Sequence, residues 1–236
     1  MQLYMDKYEV NVDDFNFFSL NAHRNARNNP NALFKDKKVS DRVIRDSAVI
    51  SPPLRLYDAS PVCDGAAAVI ITRSNEARAY TDHPVKILSS SVATDWFRID
   101  DRSDPLFLFA AAHSAQDAFR KANVHRNDMD FFEVHDAFSI MACLLLEAVG
   151  FAERGQGWRM AAERKISLRG LLPVATLGGL KARGHPIGAT ALYQACEIVL
   201  QLTGRAGRNQ IKHAELALLQ SVGGAASTVL THIFGA

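Results

Sequence analysis

The chain has 236 residues, of which 48% are hydrophobic and 22% charged, and its formal net charge is +2. These values are typical of a folded globular protein rather than a disordered or fibrous one. The nearly balanced charge, without a block of Lys and Arg, argues against nucleic acid as a partner, and no apolar run of about 20 residues indicates a membrane span. Three well-separated cysteines without a CxxC pair predict neither a zinc site nor a disulfide framework. We expect free thiols and, without a signal-peptide pattern, a cytoplasmic location.

The N-terminal part, residues 1–50, is polar and predicted to be mostly helical. Val12 to Arg27 mixes apolar and polar residues at helical spacing, with Asp13 or Asp14 as the candidate cap. The cluster Asn28-Asn29-Pro30 predicts the end of this helix.

A short second part, residues 51–84, follows a pair of prolines. Leu54 to Tyr57 is predicted to be a short strand, and Cys63-Asp64-Gly65 a turn. The continuous apolar run from Ala66 to Thr72 predicts a strand that is covered on both faces.

The third part, residues 85–236, alternates between strand and helix patterns. Strands are predicted at 85–91, 131–134, 171–174, 216–222 and 227–234. Helices are predicted at 106–122, 137–149 and 187–202. Gly150 and Gly204 stand where helix-ending glycines belong. This order, βαβαβαββ, indicates a layered α/β domain.

The densest motif surrounds one histidine in the run GGLKARGHPIGAT, from Gly178 to Thr190. Gly184 and Gly188, on either side of His185, let backbone or a ligand approach closely and are candidate substrate-binding positions. Pro186 suits the first turn of the following helix, so His185 lies beside a helix N-terminus, whose positive end disfavours protonation. A neutral imidazole can take a proton from a thiol or donate to an oxyanion. The alternative is a histidine in a glycine-rich packing turn.

Two other segments could carry chemistry. His135 directly follows the strand pattern FFEV, at the end of a strand where α/β folds bind ligands. The alternative is a turn histidine followed by Asp136 as a helix N-cap. The second segment is the reversal Gln220-Ser221-Val222-Gly223-Gly224, whose glycine N–H groups are candidate donors to an oxyanion. A plain hairpin turn explains this reversal equally well.

Three segments taken together resemble the thiolase family, which makes or cleaves 3-ketoacyl-CoA thioesters. GGLKARGHPIGAT is similar to the family's GHP motif, SPVCDGAAAVI to the segment closing its N-terminal half, and VHDAF to the variant of the sterol-carrier-protein and archaeal types. The resemblance runs over the whole chain but covers only the C-terminal part of a typical thiolase. It implies a layered αβαβα fold, with a complete C-terminal half in 85–236, only the last strands of the N-terminal half in 51–84, and a helical loop-domain remnant in 1–50.

The resemblance also implies catalytic roles. His185 would activate the nucleophilic cysteine and contribute to an oxyanion hole, and His135 would position a water or donate in the other oxyanion hole. The last reversal normally carries a second cysteine as the acid/base for the substrate α-proton; Ser221 stands there, with Gly223 two residues on. The alternative place for that cysteine is Ala137 here. No metal or organic cofactor is implied, because acyl-CoA and CoA are substrates.

The nucleophilic cysteine of the family lies upstream of SPVCDGAAAVI, in a region that this chain is expected to lack. A thiolase without a thiolate does not form its acyl-enzyme. Residues 54–73 would also leave an uncovered apolar face and open strand edges. We therefore expect a homo- or hetero-oligomer, with a second copy or a chain carrying the missing part. A small zinc-containing protein, used by some relatives of this type, is a further candidate partner.

Two functions of different classes follow from these observations. The first is acyl-CoA C-acyltransferase chemistry, a Claisen condensation or thiolysis of 3-ketoacyl-CoA, by one half of a split thiolase. The second is a non-catalytic thiolase-like binding or scaffolding subunit, which the residues Ser221 and Ala137 favour. A decarboxylating ketoacyl synthase shares the fold but has different histidine motifs and ranks third.

Overall fold

Six strands form two sheets in the computed structural model, which describes residues 1–236. In chain order they are β1 (Val49–Ser51), β2 (Leu54–Arg55), β3 (Lys86–Thr94), β4 (Phe131–Glu133), β5 (Leu216–Gly223) and β6 (Thr228–Gly235). β1 and β2 form a small antiparallel pair, and the main sheet has the order β3-β6-β5-β4. β4 runs parallel to β5, whereas the other neighbours are antiparallel. The predicted C-terminal hairpin is confirmed by the pairing of β5 with β6.

Seven α-helices accompany the strands. In chain order they are α1 (Gln2–Tyr8), α2 (Asn16–Ala26), α3 (Asp41–Arg45), α4 (Phe109–Ala122), α5 (Ser139–Val149), α6 (Gly157–Ala162) and α7 (Thr190–Leu202). A 3-10 turn leads into α2, and the carboxylate of Asp14 accepts the N–H of Asn11 at 2.9 Å, so Asp14 supports the helix start without being its cap. Gly150 ends α5 in the left-handed conformation, as predicted. No helix is both long and apolar enough to cross a membrane.

Helices cover both faces of the main sheet. On one face α4 and α5 pack into the larger core, to which Phe132 and Leu218 of the sheet belong. On the other face Ile198 of α7 packs with Phe131 and Leu219. Successive strand residues therefore enter opposite cores, as the two-residue period of a strand requires. The layered α/β arrangement predicted for this part of the chain is confirmed.

Three buried asparagines join α2 and the loop after it to the segment Val174–Leu177. Asn21 and Asn25 lie four residues apart on one face of α2, and Asn29 follows in the loop after the helix. Their Nδ2 groups donate to carbonyl oxygens within Val174–Leu177 at 2.9 to 3.0 Å. We call these three residues the asparagine ladder. It fixes the segment that leads directly into the GHP motif.

Two predicted strands are not formed. Residues 171–174 make a single bridge, from Val174 to Phe132, and the chain then turns away, with a φ of 51° at Ala175. No strand pairs with residues 66–72, and Ile70 and Ile71 are 92% and 74% exposed. The prediction of a strand covered on both faces is therefore wrong for this chain.

Candidate functional site

A glycine-rich loop carries His185. The loop turns through Gly178 and Gly179, with φ of 115° and 54°, and continues as one π-helical turn to Arg183. It then passes through Gly184, with φ of 118°. Side-chain-bearing residues rarely adopt these positive values, so the glycines give the loop its path.

Asp136 anchors this loop from below. Its carboxylate accepts the backbone N–H of Leu180 at 2.7 Å. A Cβ on Gly179 would lie 2.5 Å from Asp136 Oδ2, so the loop packs this closely only because residue 179 is glycine. Burial raises the pKa of Asp136, and the positive charge of Lys181 opposes that rise. The N-cap of α5 is Phe138, so the alternative in which Asp136 caps this helix is not what the structure has.

The two predicted catalytic histidines meet. His135 follows the end of β4 and is buried, whereas His185 ends the glycine loop and is half-buried. Their ring centroids are 5.3 Å apart and the ring planes are nearly perpendicular, at 86°. Residues 50 positions apart in the sequence thus form one site, which the sequence analysis predicted only through the family resemblance.

Both imidazoles are held in the neutral form. Burial, then the charges of His185 and Arg183, lowers the pKa of His135 to about 3. Burial, then the charge of Arg183, lowers the pKa of His185 as well. At neutral pH each ring therefore has one N–H donor and one lone pair, and can donate to a carbonyl oxygen or accept a proton.

Thr190 is a site residue that the sequence analysis did not single out. Its Oγ1 lies 2.7 Å from Nδ1 of His185, and the threonine is buried at the first position of α7. With Nδ1 engaged, Nε2 is the nitrogen of His185 left for a reacting group. Thr190 is the last residue of the same GHP motif. The contact could not be predicted from sequence spacing, because it depends on the path of the chain through Pro186.

Beneath the histidines lies a buried group of charged side chains. Arg183 NH1 is 3.3 Å from Glu197 Oε2, and the guanidinium lies 4.9 Å from the ring centroid of Tyr193. Glu133, the last residue of β4, accepts hydrogen bonds from the N–H and hydroxyl of Thr176. Burial raises the pKa of Glu133 to about 8 and that of Glu197 to about 7. Burial thus favours the protonated form of both acids, and the charge of Arg183 opposes it.

Gln194 joins α7 to the sheet close to His135 and Ser221. Its Nε2 donates to the backbone oxygen of Glu133 at 2.9 Å and to that of Gln220 at 3.2 Å. Glu133 lies two residues before His135, and Gln220 lies directly before Ser221. The helix that bears Thr190 is thus held in register with both strand ends.

The segment 61–63 runs beside His185, and the turn predicted at Cys63-Asp64-Gly65 is not formed. The N–H of His185 donates to Pro61 O at 3.1 Å, and the N–H of Cys63 donates to His185 O at 3.4 Å. A Cβ on Gly184 would meet Cys63 Sγ at 2.7 Å, so this glycine is required by packing. Nothing lies within 4 Å of a Cβ built on Gly188. The substrate-binding roles of Gly184 and Gly188 stay predictions.

The residues of the last reversal are not joined to the histidines. Ser221 is half-buried on β5 opposite Leu230, and Gly223 lies at the exposed end of the same strand. Neither forms a hydrogen bond with His135 or His185, so their oxyanion or acid/base roles stay predictions. No group of three His, Cys, Asp or Glu residues is arranged to hold a metal ion.

The chain is similar in sequence to proteins of one known family. Residues 91–236 match the family described as thiolase C-terminal domain-like. An acetyl-CoA acetyltransferase of Methanothermobacter thermautotrophicus is 41% identical over 231 residues, covering 98% of this chain and 60% of that protein. Sterol carrier protein 2 of Homo sapiens is 30% identical over 233 residues, covering 97% of this chain and 42% of that protein.

Solved structures share the fold. A structure titled Ltp2-ChsH2(DUF35) aldolase matches with a TM-score of 0.90 at 21% identity, over 100% of this chain and 61% of that one. The Bacillus anthracis acetyl-CoA acetyltransferase matches with a TM-score of 0.70 at 15% identity, over 98% of this chain and 58% of that one. The chain spans 60% and 61% of the two archaeal acetyl-CoA acetyltransferases that it matches. By the match over residues 91–236, the chain belongs to the thiolase family.

Proposed function

We propose that the chain supplies the histidine half of a CoA-thioester site. The chemistry is that of an acyl-CoA C-acyltransferase, Claisen condensation or thiolysis of 3-ketoacyl-CoA. The observation that carries the proposal is the T-shaped pair of neutral imidazoles, His135 and His185, 5.3 Å apart between ring centroids. Two neutral donors at this spacing suit a carbonyl oxygen that becomes negatively charged, because fixed donors stabilise developing charge.

The nucleophilic thiol would come from residues outside this chain. None of the three cysteines hydrogen-bonds to either imidazole. Cys143 is buried and burial raises its pKa well above the ordinary value, while Cys196 points at the backbone oxygen of Ala68, 3.8 Å away. In thiolysis an incoming thiolate adds to the 3-keto carbonyl, the C2–C3 bond breaks, and the enolate of the shorter thioester takes a proton. His185 would accept the thiol proton at Nε2.

A partner or further chain segment is part of this proposal. Val62, Ile70 and Ile71 are each more than 70% exposed, which is unusual for aliphatic side chains, and Val62 forms a bridge with His185. A second chain carrying the nucleophile, or a homo-oligomeric contact, would cover them. The structure titled Ltp2-ChsH2(DUF35) aldolase contains two named components, so a small second protein, including a zinc-containing one, is a candidate partner here.

A second candidate is aldol-type cleavage of a CoA thioester. Ser221 and Ala137 occupy both places where the resemblance puts the acid/base cysteine, which favours chemistry without that thiol. In such a cleavage a base takes the proton of the 3-hydroxyl group, the C2–C3 bond breaks, and the electrons form the thioester enolate, which is then protonated. The imidazole pair would hold the enolate oxygen without any acyl-enzyme.

Both candidates are tested with the protein purified together with its co-purifying chains. Loss of acetoacetyl-CoA on adding CoA reports thiolysis, and release of an aldehyde or ketone from a 3-hydroxyacyl-CoA reports aldol cleavage. Under either activity, His135→Ala and His185→Ala should lower kcat by about 10²- to 10³-fold, the cost of losing an oxyanion donor. His83→Ala, which removes an exposed histidine outside the site, is the matched control. Neither activity in any preparation would contradict the proposal and leave a non-catalytic binding subunit.

A further inference from the structure

We infer that Thr190 is a positioning residue that lets His185 adopt both neutral tautomers, one as a base and the other as an oxyanion donor. The inference rests on the proposed function for its purpose, but the tautomers can be measured without substrate. Its geometric basis is the 2.7 Å contact between Thr190 Oγ1 and His185 Nδ1.

A hydroxyl group is the one type of neutral side-chain partner here that serves both tautomers through a single atom. When Nδ1 of His185 carries the proton, it donates to Thr190 Oγ1 and Nε2 presents a lone pair. When Nε2 carries the proton, Nδ1 accepts from the rotated Thr190 hydroxyl. A carboxylate at this place would hold the proton on Nδ1, and a backbone N–H would hold it on Nε2.

The surroundings make this hydroxyl difficult to replace. Thr190 is 1% exposed, so water does not readily take its place at Nδ1. Arg183 lies two residues before His185, and its guanidinium is buried. Its positive charge disfavours a positive charge on the imidazole of His185. When Nε2 takes the thiol proton the ring becomes a cation, and passing that proton to the enolate carbon of the leaving thioester restores the neutral ring. The neutral ring then acts as a base or as a donor according to its tautomer, and serving both tautomers needs a partner at Nδ1 that can both accept and donate.

His135 provides the internal contrast. Its Nδ1 is buried and has no hydrogen-bond partner, so no group of the protein stabilises one of its tautomers through that atom. A substitution of Thr190 should therefore change the tautomers of His185 and leave those of His135 nearly as they are.

The test is ¹⁵N NMR of the protein with labelled histidines, comparing wild type, Thr190→Val and Thr190→Ser. In the wild type both ring nitrogens of His185 should resonate between the bare and the protonated limits, as expected for two exchanging tautomers. Thr190→Val keeps the shape without the hydroxyl and should move His185 to a single tautomer, and Thr190→Ser should restore the mixture. An activity assay should show kcat about tenfold lower in Thr190→Val with KM kept, the equivalent of one lost hydrogen bond.

Several outcomes would overturn the inference. A wild-type His185 at one tautomeric limit would do so without any variant, which covers the case in which Thr190→Val does not fold. Unchanged His185 shifts in folded Thr190→Val would do so directly. Loss of activity in His185→Ala concerns the proposed function alone, and an absence of activity with mixed tautomers would refute that function while keeping this inference.

Discussion

Replacing Asn21, the first residue of the asparagine ladder, should destabilise the protein and loosen the segment that leads into the glycine-rich loop of His185. Asn21 Nδ2 donates to Val174 O at 2.9 Å and to Ile166 O at 3.3 Å, and the residue is 3% exposed. Ile166 O also accepts the N–H of Val174, so Asn21→Ala leaves only Val174 O without its hydrogen bond. A buried carbonyl group that loses its hydrogen-bond donor lowers the free energy of unfolding, because water cannot take the donor's place.

The magnitude follows from those contacts. Two net hydrogen bonds at about 1 kcal/mol each, plus about 1 kcal/mol for the orphaned Val174 carbonyl, predict a loss of about 3 kcal/mol in the free energy of unfolding. For a chain of this length that equals a fall of roughly 6–12 °C in Tm. Urea and thermal unfolding measure both quantities.

A matched control is Asn127→Ala, which removes an exposed asparagine whose side chain makes no hydrogen bond. It should change the free energy of unfolding by less than about 0.5 kcal/mol. Equal effects of Asn21→Ala and Asn127→Ala would refute the ladder as the element that holds Val174–Leu177. Hydrogen exchange should also speed up across Val174–Leu177 in Asn21→Ala, because this segment loses its fixed partner.

Three further predictions concern the loop and the buried titrating groups. Gly179→Ala should lower the free energy of unfolding by more than about 2 kcal/mol in urea, because φ is 54° and the new Cβ would meet Asp136; a smaller change would contradict the packing. Burial, then the charges of two lysines, lowers the pKa of His23 to about 4, so the unfolded chain binds a proton that the folded chain does not. This contribution to stability is lost as the pH falls from about 6.5 to about 4. In urea titrations, His23→Phe should reduce the slope of the free energy of unfolding against pH in this window by about 1.4 kcal/mol per pH unit. Burial raises the pKa of Glu197 to about 7, so its contribution to stability is lost as the pH rises from the ordinary value of 4.5 through 7. Glu197→Gln should therefore gain stability relative to the wild type across that window, and parallel pH profiles of the two proteins would contradict the raised pKa.

Local patterns predicted most of the C-terminal part. The hairpin of β5 and β6 was readable because two strand-length runs flank Gly223-Gly224, and the end of α5 because Gly150 follows an apolar helix. Such signals are short-range and need no knowledge of the rest of the chain. They also placed His185 just before a helix, which is where it lies.

What sequence could not show depends on partners far along the chain. The run Ala66–Thr72 has the composition of a buried strand, but composition does not tell which neighbour covers it, and no strand of this chain does. The asparagines Asn21, Asn25 and Asn29 were visible at a spacing of four, but only the fold shows that carbonyl groups some 150 residues away are their acceptors.

The candidate site, too, was predicted from the sequence only in part. The sequence motifs predicted His135 and His185 separately, and the family resemblance joined them. The contact of Thr190 with His185, and the ion pair of Arg183 with Glu197, arise from the path of one loop and appear in no spacing rule. Their chemistry is readable only once the loop conformation is known.

The most direct test of the imidazole pair is the infrared spectrum of a bound thioester. Acetoacetyl-CoA with ¹³C at its 3-keto carbonyl is added, without free CoA, to the protein with its co-purifying chains. Two fixed donors from His135 and His185 predict that the labelled carbonyl stretch moves to lower frequency on binding, and that each His→Ala substitution removes part of the shift while His83→Ala keeps it. A bound carbonyl that absorbs at its solution frequency, or a shift that survives both substitutions, would contradict the account.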